Sequence, residues 1–162
     1  MGILAAIFVP IFNTYYGTKD NFENKNENFQ ECDNVKHIIS FRDSKDNLLM
    51  DNGVLKAGGA KVGQDENGRP AIHLSIADKG KFYDVTSRIS QQEDNLIVIW
   101  LDYDGSTSFE KERESCGGRG SKCLSAATVS QGFASDVIIQ GNFGEPYIEE
   151  IVNKINCSFL VD

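Results

Sequence analysis

The chain has 162 residues, enough for one domain, and 40% of them are hydrophobic, enough for an ordinary core. With 24 acidic against 16 basic residues its formal net charge is −8, and no stretch gathers Lys and Arg. That excludes nucleic acid and charge-driven binding to anionic lipid, so the acidity reads as a solvated surface.

Residues 2–12, GILAAIFVPIF, carry no charge. The segment is shorter than the ~20 residues that span a bilayer. Three readings compete: a truncated membrane helix, a signal segment without the usual basic start, and a strand or helix packed on the domain. The first is preferred. Residues 13–36 are rich in Asn, Glu, Lys and Asp, lack apolar periodicity, and read as a linker or loop that Phe22 and Phe29 could anchor.

The packed domain is expected to begin near His37. Ile38, Ile39 and Phe41 make a short strand, Asp43–Asn47 a turn, and Leu48–Met50 a second strand. Val54–Val62 reads as a strand bulged at Gly58-Gly59. Asn67-Gly68, within Asp65–Gly68, predicts a type I′ hairpin turn. Pro70–Ile76 alternates, with Ile72, Leu74 and Ile76 on one face and His73 and Ser75 on the other. His73 reads as a solvated strand residue rather than a ligand or base.

Asp78 is placed to cap a helix over 78–91, whose face carries Phe82, Val85, Thr86 and Ile89 at i, i+3, i+4 and i+7. Leu96–Leu101 (LIVIWL) predicts a central strand covered on both faces, with Trp100 in the core. Asp102-Tyr103-Asp104-Gly105 opens like a calcium loop, and Asp43 or Asp46 could contribute. Arg113, however, stands where the closing Glu is needed. Residues 106–122 are polar and Gly-rich, with a helical turn over Phe109–Glu114. Leu124–Val129 and Val137–Gln140 read as strands. Pro146 opens a last helix with Ile148, Ile151, Val152 and Ile155 on its apolar face.

Four cysteines remain, Cys32, Cys116, Cys123 and Cys157. None forms a C-x-x-C pair, and His37 and His73 are the only histidines, which argues against zinc. Cys116 and Cys123 bracket GGRGSK, a loop whose ends close easily. A disulfide is the preferred reading there, with two free thiols in a reducing compartment as the alternative. Cys32 and Cys157 lie near the two ends of the expected fold, and domain ends often meet. A second bridge between them is the weaker expectation. No phosphate loop, dinucleotide fingerprint, nucleophile elbow or triad is present, so no catalytic, cofactor or metal residue is assigned.

The runs GRPAIHLSIADKGKFYDVT (68–86), NLIVIWLD (95–102), LSAATVS (124–130) and VIIQGNF (137–143) resemble the SecD family in order and spacing. The resemblance is to the head of its first large extracytoplasmic loop. Gly68, Pro70, Ile72, Leu74, Phe82, Thr86, Leu101, Asp102, Ser125, Ile139, Gly141 and Phe143 fit the family pattern, and IISFRDSKDNLLM resembles the strand and turn that open the head. Ala127 stands where the family has proline, and Asn156–Leu160 replaces its Gly-Ser-Leu-Pro. The Cys116–Cys123 loop looks like an insertion of some members. The base subdomain and membrane helices of full members have no counterpart, so the chain is expected to be an isolated head.

The resemblance implies a non-enzymatic extracytoplasmic domain without cofactors, at the outer face of the cell membrane. It would contact translocating unfolded preprotein, with the Sec translocase channel and a SecF-type subunit as partners of the full-length protein. The expected organisation is an apolar segment and linker over 1–36, the head over 37–157 and a tail over 158–162. The expected fold is α+β, a mixed or mostly antiparallel sheet with two helices on one face. The rival readings are a free secreted or surface-anchored interaction domain and a small hydrolase with an unrecognised site.

Overall fold

The computed structural model describes residues 6–7 and 32–160. Within them the strands are β1 (Ala6–Ile7), β2 (Ile39–Arg42), β3 (Leu48–Asp51), β4 (Leu55–Gln64), β5 (Pro70–Ile76), β6 (Leu96–Leu101), β7 (Cys123–Thr128) and β8 (Val137–Gln140). The helices are α1 (Lys79–Ser90), a single turn α2 (Phe109–Glu112) and α3 (Tyr147–Cys157). The fold is α+β as expected, but the strands divide between two sheets, β1-β7-β6-β2-β3 and β4-β5-β8. Every pairing is antiparallel except β1 with β7. Helix α1 lies against β6, and α3 against β4 and β5, so each sheet has its own helix.

Ala6 and Ile7 pair with Ala127 and Thr128. At these two residues the apolar segment is a strand on the domain, not the membrane helix preferred from its composition. The rest of 2–12 and the stretch 13–31, with Phe22 and Phe29, lie outside the described residues. No helix among the described residues is long and apolar enough to cross a membrane.

Two turns of one kind join the hairpins. At 65–69, Gly68 N–H donates to Asp65 C=O, Asp65 N–H donates to Arg69 C=O, and Gly68 takes φ +76°. This is a type I turn closed by a left-handed residue, not the type I′ turn expected of Asn-Gly. The reason is Asp65, whose Oδ1 accepts from the backbone N–H of Asn67 and Arg69 and so holds the tighter local loop. The turn at 43–47 repeats the pattern, with Asp46 at φ +65° in the place of the glycine. Asp46 also has a long-range role that favours it there, because its carboxylate accepts from Phe109 N–H at 3.0 Å, at the start of α2. In β4 the register with β5 slips between Leu55 and Ala60, and Gly58 at φ +67° forms the expected bulge.

Both sheets contribute to one main core. Ile39, Phe41, Ile72, Leu74, Phe82, Ile89, Ile97, Ile99, Ile139 and Ile151 are buried within it. Phe41 and Phe82 meet edge to face, with centroids 6.0 Å apart. The opposite face of β6 builds a second, smaller core from Val98, Trp100, Phe109 and Cys123. Trp100 is fully buried there, as expected of a core residue, and its indole N–H has no acceptor among the described residues. Tyr103 packs on Trp100, and the Arg42 guanidinium lies 4.0 Å from the Tyr103 ring centre.

Helix α1 starts where Asp78 Oδ1 accepts from Lys81 N–H. Replacing Phe82 by Ala should cost about 3–5 kcal/mol of unfolding free energy in urea. Asp78→Ala should cost about 1 kcal/mol. Val62→Ala, at an exposed strand position, should stay within about 0.5 kcal/mol of the parent.

Candidate functional site

Three parts of the chain meet at one end of the domain: residues 32–38, the end of β6, and the end of α3. Cys32 and Cys157 are paired as a disulfide, with Cα atoms 5.6 Å apart, so the strap at 32–38 and the end of α3 are joined at one place. We call this place the neck.

The neck is also an ionic cluster. His37 is buried, and each of its ring nitrogens faces a carboxylate: Nδ1 lies 2.7 Å from Asp102 Oδ2, and Nε2 lies 3.1 Å from Asp33 Oδ1. Asp102 has φ +56°, a region that residues other than Gly seldom adopt. That turn brings its Oδ1 within 2.8 Å of Ile38 N–H, while its own N–H donates to Ile38 C=O. Lys154 approaches from α3. The Glu150 carboxylate at 2.7 Å pushes its ammonium above the ordinary lysine value, partial burial opposes this, and Asp102 and Asp33 add attraction.

The second disulfide, Cys116–Cys123, has Cα atoms 4.8 Å apart and closes the loop that covers Trp100. Glu112 organises this loop. Its carboxylate accepts from the hydroxyls of Ser115, Thr107 and Ser121, which hold it below its ordinary range. Asp104, 2.8 Å from Lys122 Nζ, is held well below its ordinary range by that contact and by Ser106. Asp102 thus serves the neck and Asp104 the loop. Among the described residues no three His, Cys, Asp or Glu side chains converge as a metal-binding group. His73, expected to be solvated, is half-buried. Its ring lies over Gly63, and its Nε2 is 3.1 Å from Gln64 C=O.

The structure thus pairs the four cysteines as the spacing and the domain ends suggest. The ionic cluster at the neck has no such signal. Asp33 lies in a stretch that reads as linker, and its i, i+4 spacing to His37 is the only cue. Nothing in the sequence joins either residue to Asp102 or Lys154.

In the chain-entropy picture a bridge stabilises by the loop it closes. Replacing Cys116 and Cys123 by Ser should cost about 2–3 kcal/mol, and replacing Cys32 and Cys157 about 4–5 kcal/mol, in denaturant unfolding without reductant. The sign of the acid response follows from Asp65, Asp104 and Glu112, all held below their ordinary values. Asp65 is lowered first by the Arg69 backbone N–H, against a smaller opposing effect of burial. Near and below the ordinary carboxylate value, about pH 4, the unfolded chain binds more protons than the folded one. Unfolding free energy should therefore fall as pH is lowered from about 5 to about 2.5. Asp104→Asn should flatten that fall.

No family model matches the chain. It is 34% identical over 125 residues to the protein translocase subunit SecDF of Bacillus subtilis (strain 168), a match covering 75% of this chain and 17% of that protein. The chain therefore spans about a sixth of that relative's length. The fold resembles solved structures of SecDF. One, of a membrane component that enhances protein export, superposes with TM-score 0.56 at 16% identity, over 75% of this chain and 62% of that one. Another, SecDF in its super-membrane-facing form, gives 0.50 at 15% identity, over 75% and 19%. The motif order, the sequence match and the shared fold agree: this chain belongs to the SecD family, as a domain of the kind found in SecDF.

Proposed function

We propose that residues 37–157 are the head domain of a SecD-type translocase subunit on the extracytoplasmic side of the membrane. On this reading residues 1–36 are an apolar segment and linker, and 158–162 a tail. The head contacts unfolded preprotein as it emerges and aids export driven by the proton-motive force. Its partners in the full-length protein are the Sec channel and a SecF-type subunit. The role is binding and coupling, not catalysis.

The observation that carries this reading is the sequence match, which extends over three quarters of the chain rather than one motif. Three features support it. Both cysteine pairs have disulfide geometry, which suits an oxidising compartment. Cys32 and Cys157 adjoin, which suits a domain set into a loop of a larger protein. Leu48 and Tyr83 present large apolar side chains to solvent and offer contacts for an extended chain.

A photo-reactive residue at Leu48 or Tyr83 tests the proposal. The protein is produced in its own cell while a secretory precursor is arrested in transit. Adducts with the precursor are expected, and should vanish when its export signal is deleted. Adducts only with cytosolic proteins, or none at either position, would reject the proposal and favour a free interaction domain.

A further inference from the structure

Residues 32–38 form a short strap fixed at both ends, by the Cys157 bridge at Cys32 and by β2 after Ile38. Between these points His37 is the buried polar group, and it has a carboxylate on each side. An ionised carboxylate only accepts hydrogen bonds, and a neutral imidazole has one N–H to donate. A hydrogen bond at both nitrogens therefore requires the doubly protonated ring. When the ring loses a proton, one nitrogen turns a lone pair toward a carboxylate oxygen, and that contact becomes repulsive.

The geometry decides which contact yields. Asp102 is the shorter partner, and it is held in place by Ile38 N–H and its own backbone bond to Ile38. Asp33 is the longer partner, its side chain is 57% exposed, and among the described residues it has no other hydrogen bond.

We propose that His37 is a proton-operated clasp on the neck. Protonated, it ties Asp33, and with it the strap, to Asp102 at the end of β6. Neutral, it keeps Asp102 and releases Asp33, so that residues 33–36 move about the Cys32–Cys157 bridge. Among the described residues, Asp33 from the strap and Asp102 from the end of β6 face the ring, and Lys154 from α3, with its partner Glu150, interacts with the same two carboxylates. Lys154 is held cationic by Glu150 and attracts the same two carboxylates, so it competes with the imidazolium but does not switch in the same pH range. Histidine is the side chain that ordinarily changes charge between about pH 5 and pH 8. The clasp does not depend on what the domain binds. If the domain does lie outside an energised membrane, the freedom of its neck follows the proton concentration there.

Two measurements on the intact, oxidised protein test this. Side-chain ¹⁵N spectra of His37, recorded at about pH 5 and about pH 8, should show both nitrogens protonated where residues 34–36 are protected and one where they are not. Amide-exchange protection at residues 34–36, corrected for intrinsic rates, should rise at least ~3-fold from pH 8 to pH 5. Asp33→Asn, at an exposed position that leaves the core intact, should reduce that rise to under ~1.5-fold, and His37→Gln should abolish it. A ring with a single N–H at both pH values would overturn the proposal, as would a full pH response in Asp33→Asn. If His37→Gln does not fold, the Asp33→Asn result decides alone.

Discussion

The fold depends on β6 having no wet face. Ile97, Ile99 and Leu101 belong to the main core, while Val98 and Trp100 belong to the smaller one behind it. A slip of one residue would exchange these sets between cores of different size, so the register of β6 is fixed by packing alone. Its neighbours inherit that register: Trp100 faces Ser40 on β2 and Cys123 on β7. So does the neck. Asp102 is the first residue past β6, and its left-handed turn aims its carboxylate at His37 and Ile38. The ionic cluster at the domain's edge is therefore placed by the hydrophobic strand beside it.

Splitting the strands between two sheets leaves backbone groups that no neighbouring strand can satisfy. Polar side chains serve them instead. Ser125 Oγ on β7 donates to Gln140 C=O on β8, across the gap between the sheets. Thr86 Oγ1 donates to Phe82 C=O and accepts from Phe133 N–H, tying α1 to the loop before β8. The Asn156 carboxamide makes both bonds of a strand partner with Ala60 on β4. Gly141 has the Phe143 ring so close that a Cβ would collide with it. Ser125, Thr86, Gly141 and Asp102 are among the residues that carry the family resemblance. Their structural roles explain why that resemblance lies in spaced single positions rather than in a catalytic motif.

Much of this is legible in the sequence. Strands β6 and β8 and helix α1 fall where apolar periodicity and the Asp78 cap put them, because both are local properties. The division into two sheets is not legible, since alternation tells which face of a strand is apolar but not which strand lies beside it. At 65–68 the pair Asn67-Gly68 by itself points to the wrong turn, because the carboxylate of Asp65 two residues before it decides the type. The short-range pair Cys116–Cys123 is the preferred reading of its spacing, and Cys32–Cys157 only the weaker expectation from the habit of domain ends to meet. The clasp at His37 has no comparable cue. Its partners are 4 and 65 positions away, and only the fold brings them together.

At the neck the strap and the end of α3 are joined covalently, with Cα atoms 5.6 Å apart. Tension between residues 32 and 157 falls on that bond and not on the strands between them, while β1, earlier in the chain, is held separately by its pairing with β7. The bridge alone does not set the angle of the joint. Between Cys32 and β2 the strap has exposed residues at Asp33, Asn34, Val35 and Lys36, and its one buried side chain is His37. The strap's direction is thus held by two contacts of one imidazole, while its attachment is covalent. Attachment and angle are controlled separately, by chemistry of different strength. Such a joint can loosen without the domain unfolding.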